Sequence, residues 1–191
     1  MQTNVSLMDR IWPVTGTVAK TTRATVLILV GSVLLALSAH IQIPFWPVPM
    51  TMESFVVLML GLGYAGVLGS ATVFAFLVEG ALGFPVFVHG AGLAYFAGPT
   101  GGYLVGFLAA ALLLGEFRRR GWTRSIPGTL ASALIADIAI FVFGVAWLSV
   151  LIGFDKAVAV GVVPFVLGDA LKVLVAGLSV GVLERAGNKT A

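Results

Sequence analysis

The chain has 191 residues, of which 59% are hydrophobic and only 10% are charged, and its mean hydropathy is +1.08. A soluble domain carries about 25% charged residues, because it must cover its surface with polar side chains. This composition excludes an ordinary soluble domain and predicts an integral membrane protein. The net charge of +3 does not indicate nucleic-acid binding, because most basic residues flank apolar runs, and the absence of cysteine excludes disulfides and thiolate ligands.

The first predicted element is a spanning helix over residues 24–43, an uncharged run that is long enough to cross a bilayer, since about 20 apolar residues suffice. The preceding residues, 1–23, carry charges and have no continuous apolar core. This pattern argues against a cleaved signal peptide and predicts a cytoplasmic tail. Three prolines, at positions 44, 47 and 49, end the helix and predict a loop.

The next apolar stretch, residues 51–82, is ambiguous because it is too long for one ordinary span and too short for two full ones. It could form one long helix, or a short helix and a longer one joined near residues 61–63. Further apolar runs follow at residues 101–115, 127–152 and 163–183. The number of spans therefore depends on how the stretch 51–82 folds.

The basic clusters favour two spans in this stretch. If residues 51–82 cross the membrane once, the arginine cluster at 118–124 falls outside; if they cross twice, that cluster and both termini fall inside, as the positive-inside rule requires. We therefore predict an all-α integral membrane protein, a compact bundle of six transmembrane helices with both ends in the cytoplasm. Its parts are an N-terminal tail at 1–23, the membrane domain at 24–185 and a C-terminal tail at 186–191.

This topology places three irregular segments, about 41–50, 82–100 and 152–162, on the outer face. The second segment is rich in glycine, proline and aromatic residues. Glycine lets a ligand approach the backbone closely, and aromatic rings offer contact area at low entropic cost. The alternative is an ordinary interfacial belt of Trp and Tyr, which does not require so many glycines. We therefore expect this loop to cap a ligand.

Asp169 and Lys172 lie three residues apart, on one face of the last predicted helix. Charges within the bilayer are costly and usually face the interior of a bundle. The pair could be an internal salt bridge that only packs the helices, or it could be a polar contact for a ligand. We favour the ligand contact.

Three further acidic residues lie in apolar segments. Glu53 opens the second predicted helix, where it could serve the helix dipole or a ligand. Glu79 and Asp137 lie in the third and fifth helices, and the sequence defines a role for neither. The isolated His40 and His89 are expected to be interfacial or packing residues rather than metal ligands. Without a phosphate loop, an HExxH motif or a paired nucleophile and base, the sequence predicts no enzyme, no metal site and no cofactor.

Small residues recur at helical spacings in two places, at residues 61–69 and at Ser32 and Ala36 of the first helix. Small residues let helix backbones approach closely within a membrane. Packing within the chain is one explanation of both patterns, and docking of a partner helix is the other.

Five short motifs occur in order along the chain: residues 39–44 (AHIQIP), 47–51 (PVPMT), 83–87 (GFPVF), 98–103 (GPTGGY) and 168–172 (GDALK). Together they resemble BioY, the biotin-binding membrane subunit, or S-component, of energy-coupling factor (ECF) transporters. The resemblance runs from about residue 24 to 185. That family has six helices, cytoplasmic ends and a vitamin site closed by the outer loops, in agreement with the topology inferred from charge.

The resemblance implies high-affinity capture of biotin outside the cell membrane and its delivery to the cytoplasm. It implies that Asp169 accepts hydrogen bonds from the ureido N–H groups, while Lys172 orients Asp169 or reaches a ligand oxygen. Glu53 stands where the family usually has glutamine, so its contact must differ, or Glu53 is protonated. The other ligand-binding residues are expected at Phe45, Phe87, Gly90, Tyr95, Thr100 and Tyr103.

The resemblance also implies partners. The family docks through small residues of the first helix, and Ser32 and Ala36 match that pattern imperfectly. An ECF coupling subunit and a pair of ATPase subunits are expected besides the lipid bilayer, because the chain has no ATPase motif; nucleic acid is not expected. The alternatives are a subunit for another small vitamin, an intramembrane enzyme that uses the acidic residues, and an ion or proton channel that depends on Asp137 or Glu79.

Overall fold

The computed structural model describes residues 7–64 and 67–189, which are mostly helical. The helices are α1 (Leu7–Ile11), α2 (Thr17–Ala39), α3 (Glu53–Gly63), α4 (Leu68–Ala81), α5 (Leu93–Phe96), α6 (Gly101–Arg119), α7 (Ile126–Ile152), α8 (Phe154–Gly161) and α9 (Val166–Lys189), with a 3-10 helix at Trp122–Arg124. Two short strands, β1 (Gln42–Ile43) and β2 (Met50–Thr51), pair antiparallel in the connection between α2 and α3.

Among the described residues, four helices are long and apolar enough to cross a membrane, namely α2, α6, α7 and α9. The ambiguous stretch forms two helices, α3 and α4, of 11 and 14 residues. At 1.5 Å per residue they are about 16 and 21 Å long, less than the roughly 30 Å of a hydrocarbon core. The stretch therefore forms a pair of helices rather than one long one, and each is shorter than an ordinary span.

The N-terminal segment predicted as a tail contains helix, because α2 begins at Thr17 rather than at residue 24. Charged residues can continue a helix when their side chains find partners near its end. Arg23 donates from Nη2 to Asp9 Oδ1 of α1 at 2.5 Å and from Nη1 to the Trp12 carbonyl at 2.9 Å. These bonds hold α1 against the beginning of α2.

The third segment predicted as irregular, residues 152–162, is instead largely the helix α8. Gly153 has φ +85°, which ends α7 and lets the chain turn at once into α8. Only Ala157 and Gly161 of α8 are buried, so the helix lies on the surface of the bundle. The other two segments contain the paired strands and the short helix α5.

Arg118 links three helices at one end of the bundle. Arg118, near the end of α6, donates from Nη1 to the Leu62 carbonyl in α3 at 2.5 Å and pairs with Glu184 Oε1 of α9 at 2.5 Å. The C-terminal ends of α3, α6 and α9 therefore meet, and α1 contacts α9 nearby. The connections before α3, α6 and α9 lie at the opposite end.

Small residues let α3 and α4 pack closely. A Cβ atom on Gly69 would lie 3.0 Å from the Leu60 carbonyl oxygen and 3.1 Å from the Gly61 Cα atom. The pattern at residues 61–69 thus serves packing within the chain. Ser32 also points inward, where its hydroxyl donates a hydrogen bond to Glu79 of α4.

Candidate ligand-binding site

A cavity lies between the connections that precede α3, α6 and α9 and the helices that follow them; its volume is about 580 Å³ when the space at its open mouth is counted. The lining combines apolar and aromatic residues with a few polar groups: Val48, Pro49, Thr51, Glu53, Ser54, Phe87, Val88, Tyr95, Thr100, Tyr103, Leu104, Phe107, Asp137, Ile140, Phe141, Phe165, Asp169 and Lys172.

Lys172 joins α9 to the beginning of α3. Its ammonium Nζ lies 2.7 Å from Asp169 Oδ1, 2.7 Å from the Thr51 carbonyl oxygen and 3.1 Å from Ser54 Oγ. An ammonium has three protons, and these three acceptors account for all of them. Lys172 therefore holds its neighbours in place and has no proton left for a ligand.

Asp169 has one oxygen occupied and one available. Its Oδ1 accepts from Lys172 and from the Ser54 hydroxyl at 3.1 Å. Its Oδ2 accepts no hydrogen bond within the described part of the chain. The residue is only 4% exposed and lines the cavity, so this second oxygen is a fixed acceptor at the cavity wall.

Glu53 begins α3 and is 4% exposed. Its Oε2 accepts from Thr51 Oγ1 at 3.0 Å, and the same hydroxyl accepts from the Glu53 backbone N–H at 3.2 Å. This local exchange fixes the first turn of α3. The other oxygen, Oε1, is buried and has no hydrogen-bond partner among the described residues.

Phe87 anchors the glycine-rich connection in the bundle. It is 1% exposed, stacks on Tyr95 at a centroid distance of 4.8 Å, and meets Phe76 and Phe96 edge-on at 5.4 and 5.5 Å. A Cβ atom on Gly80 would lie 2.0 Å from Phe87 Cζ, so only glycine leaves room for the ring. This aromatic cluster forms an apolar wall of the cavity.

Tyr95 and Tyr103 bring hydroxyl groups to the same cavity. Tyr103 donates to the Gly161 carbonyl at 2.8 Å, so its hydroxyl proton is committed to α8. Burial raises the pKa of the Tyr95 hydroxyl, which therefore stays protonated at neutral pH. Trp147 of α7 holds the connection between α5 and α6, because its Nε1 donates to the Gly98 carbonyl at 2.9 Å.

The chain matches the BioY family over residues 6–189. It belongs to the BioY family. It is 34% identical over 158 residues to a probable biotin transporter BioY of Pyrococcus horikoshii, covering 82% of this chain and 91% of that protein. It is 36% identical over 147 residues to a biotin transporter BioY of Thermotoga maritima, covering 76% of this chain and 86% of that protein.

A solved structure resembles the whole fold of this BioY-family chain. The crystal structure of the S-component for biotin from an ECF-type ABC transporter superimposes with a TM-score of 0.78 at 25% identity, covering 90% of this chain and 95% of that one. The resemblance inferred from the five motifs is thereby confirmed. Membership of a family of transporter components also confirms that the chain is not an enzyme.

The structure brings together most of the ligand-binding residues predicted for this BioY-family chain: Asp169, Lys172, Glu53, Phe87, Tyr95, Thr100 and Tyr103 line the cavity. Two others lie outside the lining. Phe45 is 39% exposed, and its ring lies 6.0 Å from that of Phe165, which does line the cavity. Gly90 has φ +140° and bridges to Phe87, so it shapes the loop. The predicted docking residue Ser32 is buried, whereas Ala36 is half-buried.

Several cavity residues were not predicted as ligand contacts. Ser54 bonds to both members of the Asp169–Lys172 pair, and Asp137 faces the cavity from α7. The sequence does mark Asp137 as an intramembrane charge, but no charged residue near it in the sequence indicates its partner. Nothing in the sequence distinguishes Ser54 as a site residue, because serine is common in membrane helices. Among the described residues, no three His, Cys, Asp or Glu side chains are placed so that they could hold a metal ion.

Proposed function

We propose that this chain captures biotin in the cavity at the outer face and is the binding subunit of a biotin uptake transporter. The names of its relatives and of the solved S-component support this function. The observation that carries it is the buried Asp169, whose free oxygen is fixed at the cavity wall by Lys172 and Ser54 beside an aromatic wall. This arrangement suits a small ligand with a polar end and an apolar body.

The chemistry of biotin matches both parts of the cavity. Its ureido group presents N–H donors, and a hydrogen bond to a carboxylate is about twice as strong as one between neutral groups. Asp169 Oδ2 accepts one ureido N–H, while Phe87, Phe107 and Phe165 cover the fused rings. Lys172 orients Asp169 rather than binding the ligand, because its protons already go to protein acceptors.

Titration of biotin into the purified protein in detergent tests this proposal. We expect tight, stoichiometric binding, and no binding of thiamin or riboflavin at the same concentrations. Asp169→Asn keeps the shape of the side chain but removes its charge, so biotin should bind at least tenfold more weakly while the protein stays folded. Wild-type protein that does not bind biotin would refute the function.

We further propose six passes through the cell membrane, with both ends in the cytoplasm. The positive-inside rule supports this orientation, because Arg118 and its basic neighbours lie at the same end as α1 and the end of α9. The chain lacks cysteine, so single cysteines can report sidedness directly. Exposed Lys156→Cys should react with an impermeant maleimide from outside intact cells, and Arg119→Cys only after lysis; the reverse pattern would overturn the orientation.

An ECF coupling subunit and a pair of ATPase subunits are the proposed partners, with docking along α2. Ser32 is buried against α4, so Ala36 and the exposed residues Leu29, Val33 and Leu37 are the part of this helix that a partner can reach. Ala36→Leu should reduce co-purification with the coupling subunit and leave biotin affinity unchanged. Equal recovery of the complex would exclude this surface.

A further inference from the structure

One buried carboxylate at the cavity has no role so far. Asp137 in α7 is 6% exposed, and its Oδ1 is buried without a hydrogen-bond partner among the described residues. Ile140 and Phe141, three and four residues further along α7, line the same cavity as Asp137. Residues at these spacings share one face of a helix, so this face of α7 is turned toward the cavity.

Asp137 also lines a second space, a groove between α7, α8 and α9. The groove lining is apolar apart from Asp137, Ser149 and Asp169. A carboxylate directed toward hydrocarbon is costly, whereas the cavity already contains polar groups. The cavity is therefore the side on which Asp137 can meet a hydrogen-bond donor.

The protein does not supply that donor. Three carboxylates of the described cavity lining, Glu53, Asp137 and Asp169, face a single cation, Lys172. The protons of Lys172 go to Asp169, Thr51 and Ser54. Carboxylates that share a small buried space repel each other unless donors lie between them. A rigid planar group with two N–H donors is suited to this space.

We propose that Asp137 is a second ligand-binding carboxylate, which accepts one ureido N–H of biotin from α7 while Asp169 accepts the other from α9. This inference rests on the proposed function and makes Asp137 a specificity residue. A ligand that presents one donor would leave one carboxylate buried and unpaired. Sites that hydrogen-bond a ligand group reject analogues without that group strongly, because the protein group then stays unsatisfied.

The test combines protein variants with ligand analogues. The variants are Asp137→Leu, which removes the acceptor at similar size, and Asp137→Asn, which keeps an uncharged acceptor. Glu79→Gln is the matched control, since it neutralises an intramembrane carboxylate that is bonded to Ser32 outside the cavity lining. The ligands are biotin and the two lactam analogues in which one or the other ureido N–H is replaced by CH2. Affinities are measured by titration calorimetry, with thermal unfolding as a check on folding.

We expect Asp137→Leu to weaken biotin binding about 10- to 100-fold, Asp137→Asn to weaken it less, and Glu79→Gln to change it less than twofold. The lactam without the N–H that faces Asp137 should bind Asp137→Leu at least as tightly as wild type, whereas the other lactam, which keeps that N–H, should bind Asp137→Leu more weakly than wild type. Biotin affinity within twofold of wild type in both Asp137 variants would overturn the proposal. Equal losses of affinity for the two lactams on going from wild type to Asp137→Leu would also overturn it, because they would mean that Asp137 only shapes the cavity. Failure of wild type to bind biotin is a separate result that removes the proposed function as well.

Discussion

Removing the Lys172 ammonium tests whether this residue positions the site. In Lys172→Met, the Asp169 carboxylate and the Thr51 carbonyl each lose a donor that now lies 2.7 Å away. The two charged side chains are 9% and 6% exposed, so water cannot readily replace the lost bonds. Breaking one half of a buried pair costs about 3–5 kcal/mol of folding free energy. For a domain of this size, that lowers the unfolding midpoint by about 6–20 °C.

The double variant separates positioning from ligand binding. Asp169→Asn combined with Lys172→Met removes both charges of the pair and so leaves neither partner unpaired, and its unfolding midpoint should recover toward that of wild type. Biotin affinity should not recover, because the charged acceptor is gone. Thermal unfolding in detergent and biotin titration on the same preparations measure the two effects. Arg119→Met is the control, since its salt bridge to Glu116 is exposed and its loss should not move the midpoint.

Two results would refute this reasoning. The first is a Lys172→Met protein that unfolds at the wild-type temperature, which would mean that water satisfies Asp169 in spite of its burial. The second is a double variant that is less stable than Lys172→Met, which would mean that the pair is not the source of the loss. Lys172→Met with full stability and weaker binding would instead assign Lys172 a direct contact with the ligand.

Two further predictions concern the two ends of the bundle. Gly80→Ala should weaken biotin binding, because a Cβ atom there would lie 2.0 Å from Phe87 Cζ and displace the aromatic wall; Gly63→Ala, where a Cβ atom meets nothing within 4 Å, should bind as wild type. Arg118→Met should lower the unfolding midpoint, because it removes the buried 2.5 Å ion pair to Glu184 and the 2.5 Å hydrogen bond to the Leu62 carbonyl, at the far end from the cavity. Biotin titration of the same protein should give nearly wild-type affinity, and a loss comparable to that of Asp169→Asn would contradict this separation of the ends.

The sequence predicted the parts of the site that short-range rules govern. The spacing of Asp169 and Lys172 places them on one helix face, and the cost of charge in a bilayer places that face inside the bundle. The structure agrees, since both residues are buried and line the cavity. Glycine density likewise predicts that residues 82–100 cap a ligand; this stays a prediction, and Phe87, Tyr95 and Thr100 of this segment line the cavity.

The sequence could not predict contacts that depend on how distant helices pack. The bond between Ser54 and Asp169 joins residues separated by 115 positions, and no local pattern encodes it. The orientation of Asp137 depends on the rotation of α7, whose nearly uniform hydrophobicity gives no preferred face. Residues 152–162 are predicted as irregular, but eight of them form the helix α8. Phe45 is predicted as a ligand contact, but it is 39% exposed and lies outside the cavity lining.

The short length of α3 and the position of the site have one physical cause. Because α3 begins only at Glu53, the chain before it must enter the bundle as non-helical backbone, with the Thr51 carbonyl at the depth of Lys172. Such backbone is tolerated in a membrane only where protein groups or a cavity satisfy it. Lys172 satisfies this carbonyl and, through the same ammonium, fixes Asp169. The shortfall of apolar residues in 51–82, which made the span count ambiguous, therefore also opens the space in which a ligand can meet these carboxylates.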